Sequence, residues 1–182
     1  PCPLLLAATE PLEEIVVPAS LRKEPLAGLA ASVTVLDEAT VQAAGVRHFV
    51  DLLGLVPNLN WAGGSSRPRY LQLRGIGELD QYQGAPNPSV AFLVDEFDLS
   101  GIGMPASTVD VEQVEVLRGP QGTRYGANAL AGMVKLKTRD ADGERELRTR
   151  VEAGGDDLYA ASLAAGGPLA EGRAAWRLAA QR

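Results

Sequence analysis

The sequence predicts an α+β fold. Short strands and short helices build one small domain, and a set of antiparallel strands follows, apolar on one side. Three observations carry this. Val114 to Thr138 reads VEVLRGPQGTRYGANALAGMVKLKT: two alternating runs flank a glycine-rich turn and a small-residue segment, Gly126 to Gly132. Residues 37–55 carry helix start and stop signals. Beyond Glu144 the alternation sorts apolar residues to one face and polar or small ones to the other.

Bulk properties narrow the function classes. A chain of 182 residues suits one compact domain with a tail, and 46% hydrophobic residues is normal for a folded protein. Aromatics are only 5% while glycines number 20, which favours a turn-rich architecture over one large aromatic core. The net charge of −6 supplies no basic surplus for releasing counterions, so a general nucleic-acid binder is excluded. A lone Cys2 forms no intrachain disulfide or cysteine-rich zinc site, and a lone His48 argues against histidine-based metal or triad chemistry. No cofactor or metal site is expected. No run approaches the roughly 18 apolar residues of a membrane-spanning helix.

In chain order, PCPLLLAATE has the apolar, small-residue character of the end of a secretory signal peptide, cut near Ala7-Ala8. Cys2 precedes that site, so a lipoprotein anchor is not indicated. Glu13, Glu14, Ile15, Val16 and Val17 lie between Pro11 and Pro18, an extended, edge-like segment open to a partner strand. Residues 19–31 read as a linker. Ser32 to Asp37 alternates as a strand, and Asp37 caps a helix over Glu38 to Ala44 that Gly45 ends. Val46 to Leu55 is a second helix, with Phe49, Leu52 and Leu53 on one face and Gly54 and Pro57 closing it. His48 reads as a surface or packing residue.

Trp61 to Arg69 is a polar loop, with Arg67 and Arg69 either meeting an anion or simply solvated. Tyr70 to Gly75 is a short strand. Gly75 to Pro88 is long, polar and turn-rich, the profile of a functional or disordered loop. Ser89 to Asp95 is the clearest strand. Asp95, Glu96 and Asp98 then crowd together, as for a hard cation or a carboxylate pair, or merely to solvate a turn. Leu99 to Pro105 is another glycine-rich loop, and Ser107-Thr108 caps a short helical turn before Asp110 to Glu115. The glycines from Gly119 to Gly126 match neither the Walker spacing nor the dinucleotide fingerprint, so they serve turns and close packing.

After Thr138-Arg139 come three strand signals. Leu147, Thr149 and Val151 alternate with Arg148, Arg150 and Glu152. Leu158 to Ala165 follows, with Tyr159, Ala161 and Leu163 on one side. Trp176 and Leu178 then alternate with Arg177 and Ala179. Gly154 to Asp157 and Gly166 to Gly172 read as the turns. An outer-membrane barrel and a soluble meander share this pattern.

VEVLRGPQGTRYGANALAG resembles the C-terminal signature of the plug domain of TonB-dependent outer-membrane receptors. Four further stretches are similar to plug elements: DLLGLVPNLN, YLQLRG, the Val94-Asp95-Glu96 hairpin, and DVEQVEVLRGP, with Gln113 where a basic residue often stands. EEIVV resembles the TonB box. The resemblance implies a plug with a small mixed β-sheet and short helices, then the first antiparallel strands of a transmembrane β-barrel. The expected divisions are a signal-peptide remnant at 1–8, the box and linker at 9–31, the plug at 32–139 and the barrel start at 140–182. Three strands ending in mid-strand at Arg182 would make the chain an N-terminal fragment.

The same resemblance implies roles. Glu13 to Val17 would recruit TonB and its inner-membrane energising complex. Arg74 and Arg118 would lock the plug to acids on the barrel wall. Glu78, Asp80, Gln81, Tyr82 and Gln83 would meet the ligand on apical loops. The implied function is active import across a Gram-negative outer membrane, with the barrel in lipid and without catalysis. A ferric siderophore is the commonest cargo; cobalamin, haem and oligosaccharides stay open. Two other classes compete: a soluble periplasmic or extracellular binding module, and a small hydrolase using Asp95, Glu96 or Asp98.

Overall fold

The computed structural model describes residues 16–17, 24–25, 31–45, 48–63, 69–79, 87–102, 107–155 and 158–182. It divides into residues 1–30 and residues 31–182. In the first unit β1 (Val16–Val17) pairs antiparallel with β2 (Glu24–Pro25). Glu13, Glu14, Ile15 and the predicted signal remnant lie outside the described residues.

The second unit is built on a five-stranded sheet ordered β3-β8-β9-β6-β7. Its members are β3 (Ser32–Asp37), β6 (Val90–Val94), β7 (Phe97–Asp98), β8 (Val111–Arg118) and β9 (Gly132–Thr138). β8 is antiparallel to both β3 and β9, β6 runs parallel to β9, and β7 folds back on β6, so the sheet is mixed, as expected. Alternation decides what each face buries. Leu36, Val114, Val116, Val134, Leu136, Val90 and Phe92 form one wall of the core. The other wall comes from Val41, Phe49, Leu52, Leu53, Val56, Leu59, Leu71 and Leu73. Phe49 and Phe92 meet at its centre with ring centroids 4.8 Å apart.

The first helix forms where the cap signals put it. α1 (Glu38–Ala43) starts at Asp37, whose Oδ1 accepts the Thr40 amide at 2.8 Å, and the chain leaves through Gly45 at φ +63°. The second is shorter than expected. α2 (Phe49–Leu52) passes into one 3₁₀ turn at Leu53–Leu55. His48 is its N-cap: Nδ1 accepts the Val50 amide at 3.3 Å, and Asp51 Oδ2 accepts the His48 amide at 3.1 Å.

Trp61 is not in a loop. β4 (Leu59–Ala62) and β5 (Tyr70–Leu73) form a hairpin in which Trp61 faces Leu71. Burial of Leu59, Leu71 and Leu73 in the core overrides the weak strand propensity of LNWA. Ser107-Thr108 forms a side-chain-capped turn, Ser107 Oγ accepting the Val109 amide at 3.0 Å, with no helix among the described residues between β7 and β8. The glycine-rich connection after β8 holds one helical turn, α3 (Gly122–Tyr125).

The remaining strands, β10 (Glu146–Ala153), β11 (Tyr159–Leu169) and β12 (Ala174–Gln181), form an antiparallel meander. Leu147 (71% exposed), Val151 (82%), Tyr159 (79%) and Leu178 (58%) line its outer face. Gly166, Gly167 and Pro168 are strand rather than turn; the turn is a 3₁₀ segment at Ala170–Gly172. Two facts explain this. β10 starts opposite Gly166, so Pro168 owes it no hydrogen bond. And Glu146, Gly166 and Arg177 stand in one row across the three strands, where a missing side chain lets Arg177 Nη1 cross to Glu146 Oε2 at 3.0 Å. No helix among the described residues is long and apolar enough to cross a membrane, which says nothing about strands.

Candidate functional site

Four places bring polar side chains together. At the end of the five-stranded sheet where β6 begins, the bases of two long loops are tied. Glu78 uses both carboxylate oxygens on Ser89: the amide donates at 2.9 and 3.0 Å, and the hydroxyl to Oε1 at 2.6 Å. Gln72 Nε2 donates to the Glu78 carbonyl at 3.3 Å. Arg69 Nε donates to the Gly101 carbonyl at 3.3 Å, with its guanidinium 5.5 Å from the Tyr70 ring centre. Of the five residues expected on this apex, Glu78 is therefore a brace at the loop's root. Asp80, Gln81, Tyr82 and Gln83 lie outside the described residues.

Arg74 and Arg118 converge at the start of β3. Arg74 sits in a left-handed turn (φ +54°), and its Nη2 donates to Ser32 Oγ at 3.1 Å. Arg118 faces Ser32 in the ladder and donates from Nη1 to Thr34 Oγ1 at 2.8 Å and from Nη2 to the Pro57 carbonyl at 3.4 Å. Among the described residues neither meets a carboxylate.

The acids after β6 have structural partners. Asp95, at φ +53°, accepts the Thr138 amide and hydroxyl, both at 2.8 Å. Glu96 pairs with Lys135 at 2.7 Å. Asp98 accepts the Ser100 amide at 2.9 Å and Asn128 Nδ2 at 2.8 Å. Burial pushes the Asp98 carboxyl upward, but the Ser100 and Asn128 hydrogen bonds outweigh it and leave the group below the usual carboxylate range. A general acid needs the opposite shift. No group of three or more His, Cys, Asp or Glu among the described residues is placed to hold a metal.

The fourth place escaped the sequence reading. Acids on the α1 and pre-β8 edge of the five-stranded sheet meet arginines on the inner face of the meander. Asp110 takes two hydrogen bonds from Arg177, Nε and Nη2 each donating to one carboxylate oxygen. Both side chains are nearly buried, at 6% and 9% exposed. Asp110 also accepts the Arg139 amide on its carbonyl at 3.0 Å. Glu38 pairs with Arg139 and Arg148, and Arg148 also pairs with Glu146. A cavity of about 720 Å³ opens beside these pairs, between α1, the start of β8 and the meander. The partners stand 67 to 110 residues apart, so no local pattern announces them. The one available signal was that Arg177 is the lone charge in the strand AAWRLAAQ, whereas Arg148 is one of four alternating charges in ELRTRVEA and does not stand out.

Residues 25–133 match the TonB-dependent Receptor Plug Domain family. The chain belongs to that family. Its five-stranded sheet with α1, α2 and the β4–β5 hairpin is the plug, and the meander matches the start of the barrel. The chain is 31% identical over 144 residues to the pesticin receptor of Yersinia pestis, covering 78% of the chain and 21% of that receptor. It is 28% identical over 151 residues to the vitamin B12 transporter BtuB of Vibrio vulnificus, covering 79% and 23%. Among solved structures, the ferric yersiniabactin uptake receptor FyuA of Yersinia pestis superposes with a TM-score of 0.72 at 28% identity, over 84% of the chain and 24% of FyuA. The alcaligin outer-membrane receptor FauA of Bordetella pertussis also reaches 0.72, at 17% identity, which speaks for the fold alone. The plug chain thus spans about a fifth to a quarter of these relatives, which are receptors and transporters rather than enzymes. The family resides in the outer membrane of Gram-negative bacteria, and so does this protein.

Proposed function

We propose that the protein imports a ferric siderophore across the outer membrane, with the plug gating the barrel and TonB supplying the drive. The observation that carries this reading is the plug fold followed directly by strands whose outer face is apolar and whose inner face is polar, as a barrel in lipid requires. The cargo class rests on the likeness to FyuA, a ferric yersiniabactin uptake receptor. BtuB makes cobalamin the second reading.

In this mechanism the ligand docks on the apical loops, including residues 80–83. Glu13 to Val17 then pairs with TonB by strand addition, exchanging the present β1–β2 pairing for one with the partner. Arg74 and Arg118 face carboxylates of the barrel wall, since the acceptors they have within the plug, the Ser32 and Thr34 hydroxyls and the Pro57 carbonyl, carry no charge to balance theirs. The test is uptake of a panel of radioiron-labelled siderophores, and of labelled cobalamin, by cells carrying the full-length receptor. One siderophore should enter in a TonB-dependent manner, and Val16→Pro, which removes a backbone donor, should abolish entry while leaving ligand binding intact. Uptake of cobalamin alone would replace the cargo, and uptake that ignores both TonB and Val16→Pro would refute the mechanism.

A further inference from the structure

We propose that the outer face of the meander, as barrel wall in lipid, seats one phosphatidylethanolamine, with its phosphate on Arg145 and its glycerol and upper acyl carbons over Gly167 beside Trp176. A groove of about 330 Å³ lies there, next to the Ala170–Gly172 turn. Its outward-facing lining is Arg145, Leu147, Ala165, Gly167 and Trp176. The volume is at the lower end of the roughly 300–1,000 Å³ of small-molecule sites, the size of a headgroup and the first carbons of its chains.

Register builds the groove. Gly167 faces Trp176 on β12, and Arg145 comes just before Glu146, the partner of Gly166. Arg145, Gly167 and Trp176 therefore form one outward row, beside the apolar row Leu147, Ala165 and Leu178. A Cβ built on Gly167 would stand 3.6 Å from Arg145 Cγ and 3.6 Å from Trp176 Nε1, so the glycine is a low floor between the arginine stem and the indole.

The charges say what fills it. Arg145 is exposed and has no hydrogen bond or ion pair among the described residues. The outward positions of β10, β11 and β12 hold no acid that could serve it. A guanidinium facing lipid needs an acceptor, and a lipid phosphate matches its fork with two parallel hydrogen bonds. Trp176, partly exposed at the same level, has the amphipathic ring of an interfacial girdle. Glu144, next to Arg145 in the chain, is also exposed and in no ion pair among the described residues, so a headgroup carrying an ammonium with its phosphate fits better than a purely anionic one. Ala170–Gly172 is the tighter of the meander's two turns, and short turns of outer-membrane barrels face the periplasm, the side of the phospholipid leaflet.

The experiment uses the full-length receptor, extracted from outer membranes in mild detergent and read by native mass spectrometry. The parent should retain phosphatidylethanolamine. Arg145→Gln should lower that occupancy about tenfold, the worth of a hydrogen bond to a charged group. Gly167→Leu, which raises the floor of the groove, should lower it similarly, and Arg145→Lys, which keeps the charge without the fork, should fall between parent and Arg145→Gln. If Gly167→Leu fails to assemble, the exposed and unpaired Arg145 decides the matter through its two variants. Equal occupancy in the parent and in Arg145→Gln overturns the proposal. So does displacement of the lipid by an equal concentration of phosphatidylglycerol or lipopolysaccharide, or by inorganic phosphate. The barrel reading has its own readout: brominated phospholipid should quench the emission of Trp176, taken as the difference between the parent and Trp176→Phe. Absence of that quench removes the lipid-facing wall and the seat with it, whereas quenching with equal occupancy removes the seat and leaves the wall.

Discussion

Gly132 and Gly122 belong to one glycine-rich stretch, yet alanine should act oppositely at the two positions. Gly132 opens β9 at φ +157°, paired to Arg118 on β8 and to Val90 on β6. A Cβ there would stand 2.5 Å from the Leu117 carbonyl oxygen and 2.5 Å from Leu73 Cδ2. Leu117 O is backbone, in the ladder that joins β8 to β9, and Leu73 is only 1% exposed in the core, so neither yields cheaply. Overpacking of this kind costs about 1–3 kcal/mol. Gly122 begins α3 with nothing within 4 Å of a built Cβ, so alanine there should stabilise by about 0.4–1 kcal/mol through the unfolded chain. The assay is urea unfolding of the chain in mild detergent, followed by far-ultraviolet circular dichroism. With a slope of about 2 kcal/mol per molar, a loss of about 2 kcal/mol moves the midpoint down by about 1 M, and the Gly122→Ala gain moves it up by about 0.3 M. A Gly132→Ala midpoint equal to the parent's, or a fall at Gly122→Ala matching it, would refute close packing as the reason for glycine at 132.

Two further outcomes follow from the same geometry. Asp37→Ala should cost about 1 kcal/mol, the usual worth of an N-cap. The Thr40 hydrogen bonds hold the Asp37 carboxyl below its usual range, so the folded value is depressed and the stabilisation is present at neutral pH. It fades as pH falls below about 4 toward the folded value, so the gap between parent and variant in urea midpoint should close in acid. Arg74→Gln with Arg118→Gln in the full-length receptor should speed trypsin cleavage of the plug if these arginines lock it to the wall, and unchanged protection would remove that role.

Much of this protein was legible in local sequence. The strand Ser32 to Asp37, the Asp37 cap, the Gly45 exit and the strand from Val114 to Arg118 depend on alternation and on one or two neighbouring residues, and all form as their patterns dictate. The order of residues in VEVLRGPQGTRYGANALAG was enough to expect a plug, and the family match agrees. Tertiary structure decided the rest. Trp61 became strand because Leu59 and the hairpin partners Leu71 and Leu73 fill the core. Gly166 to Pro168 stayed in β11 because β10 had already begun opposite Gly166 and Arg177 needed the empty space above it. The Asp110–Arg177 and Glu38–Arg148 pairs depend on where two sheets meet. Charges that far apart in the chain carry no mutual signal until the fold brings them within hydrogen-bond reach.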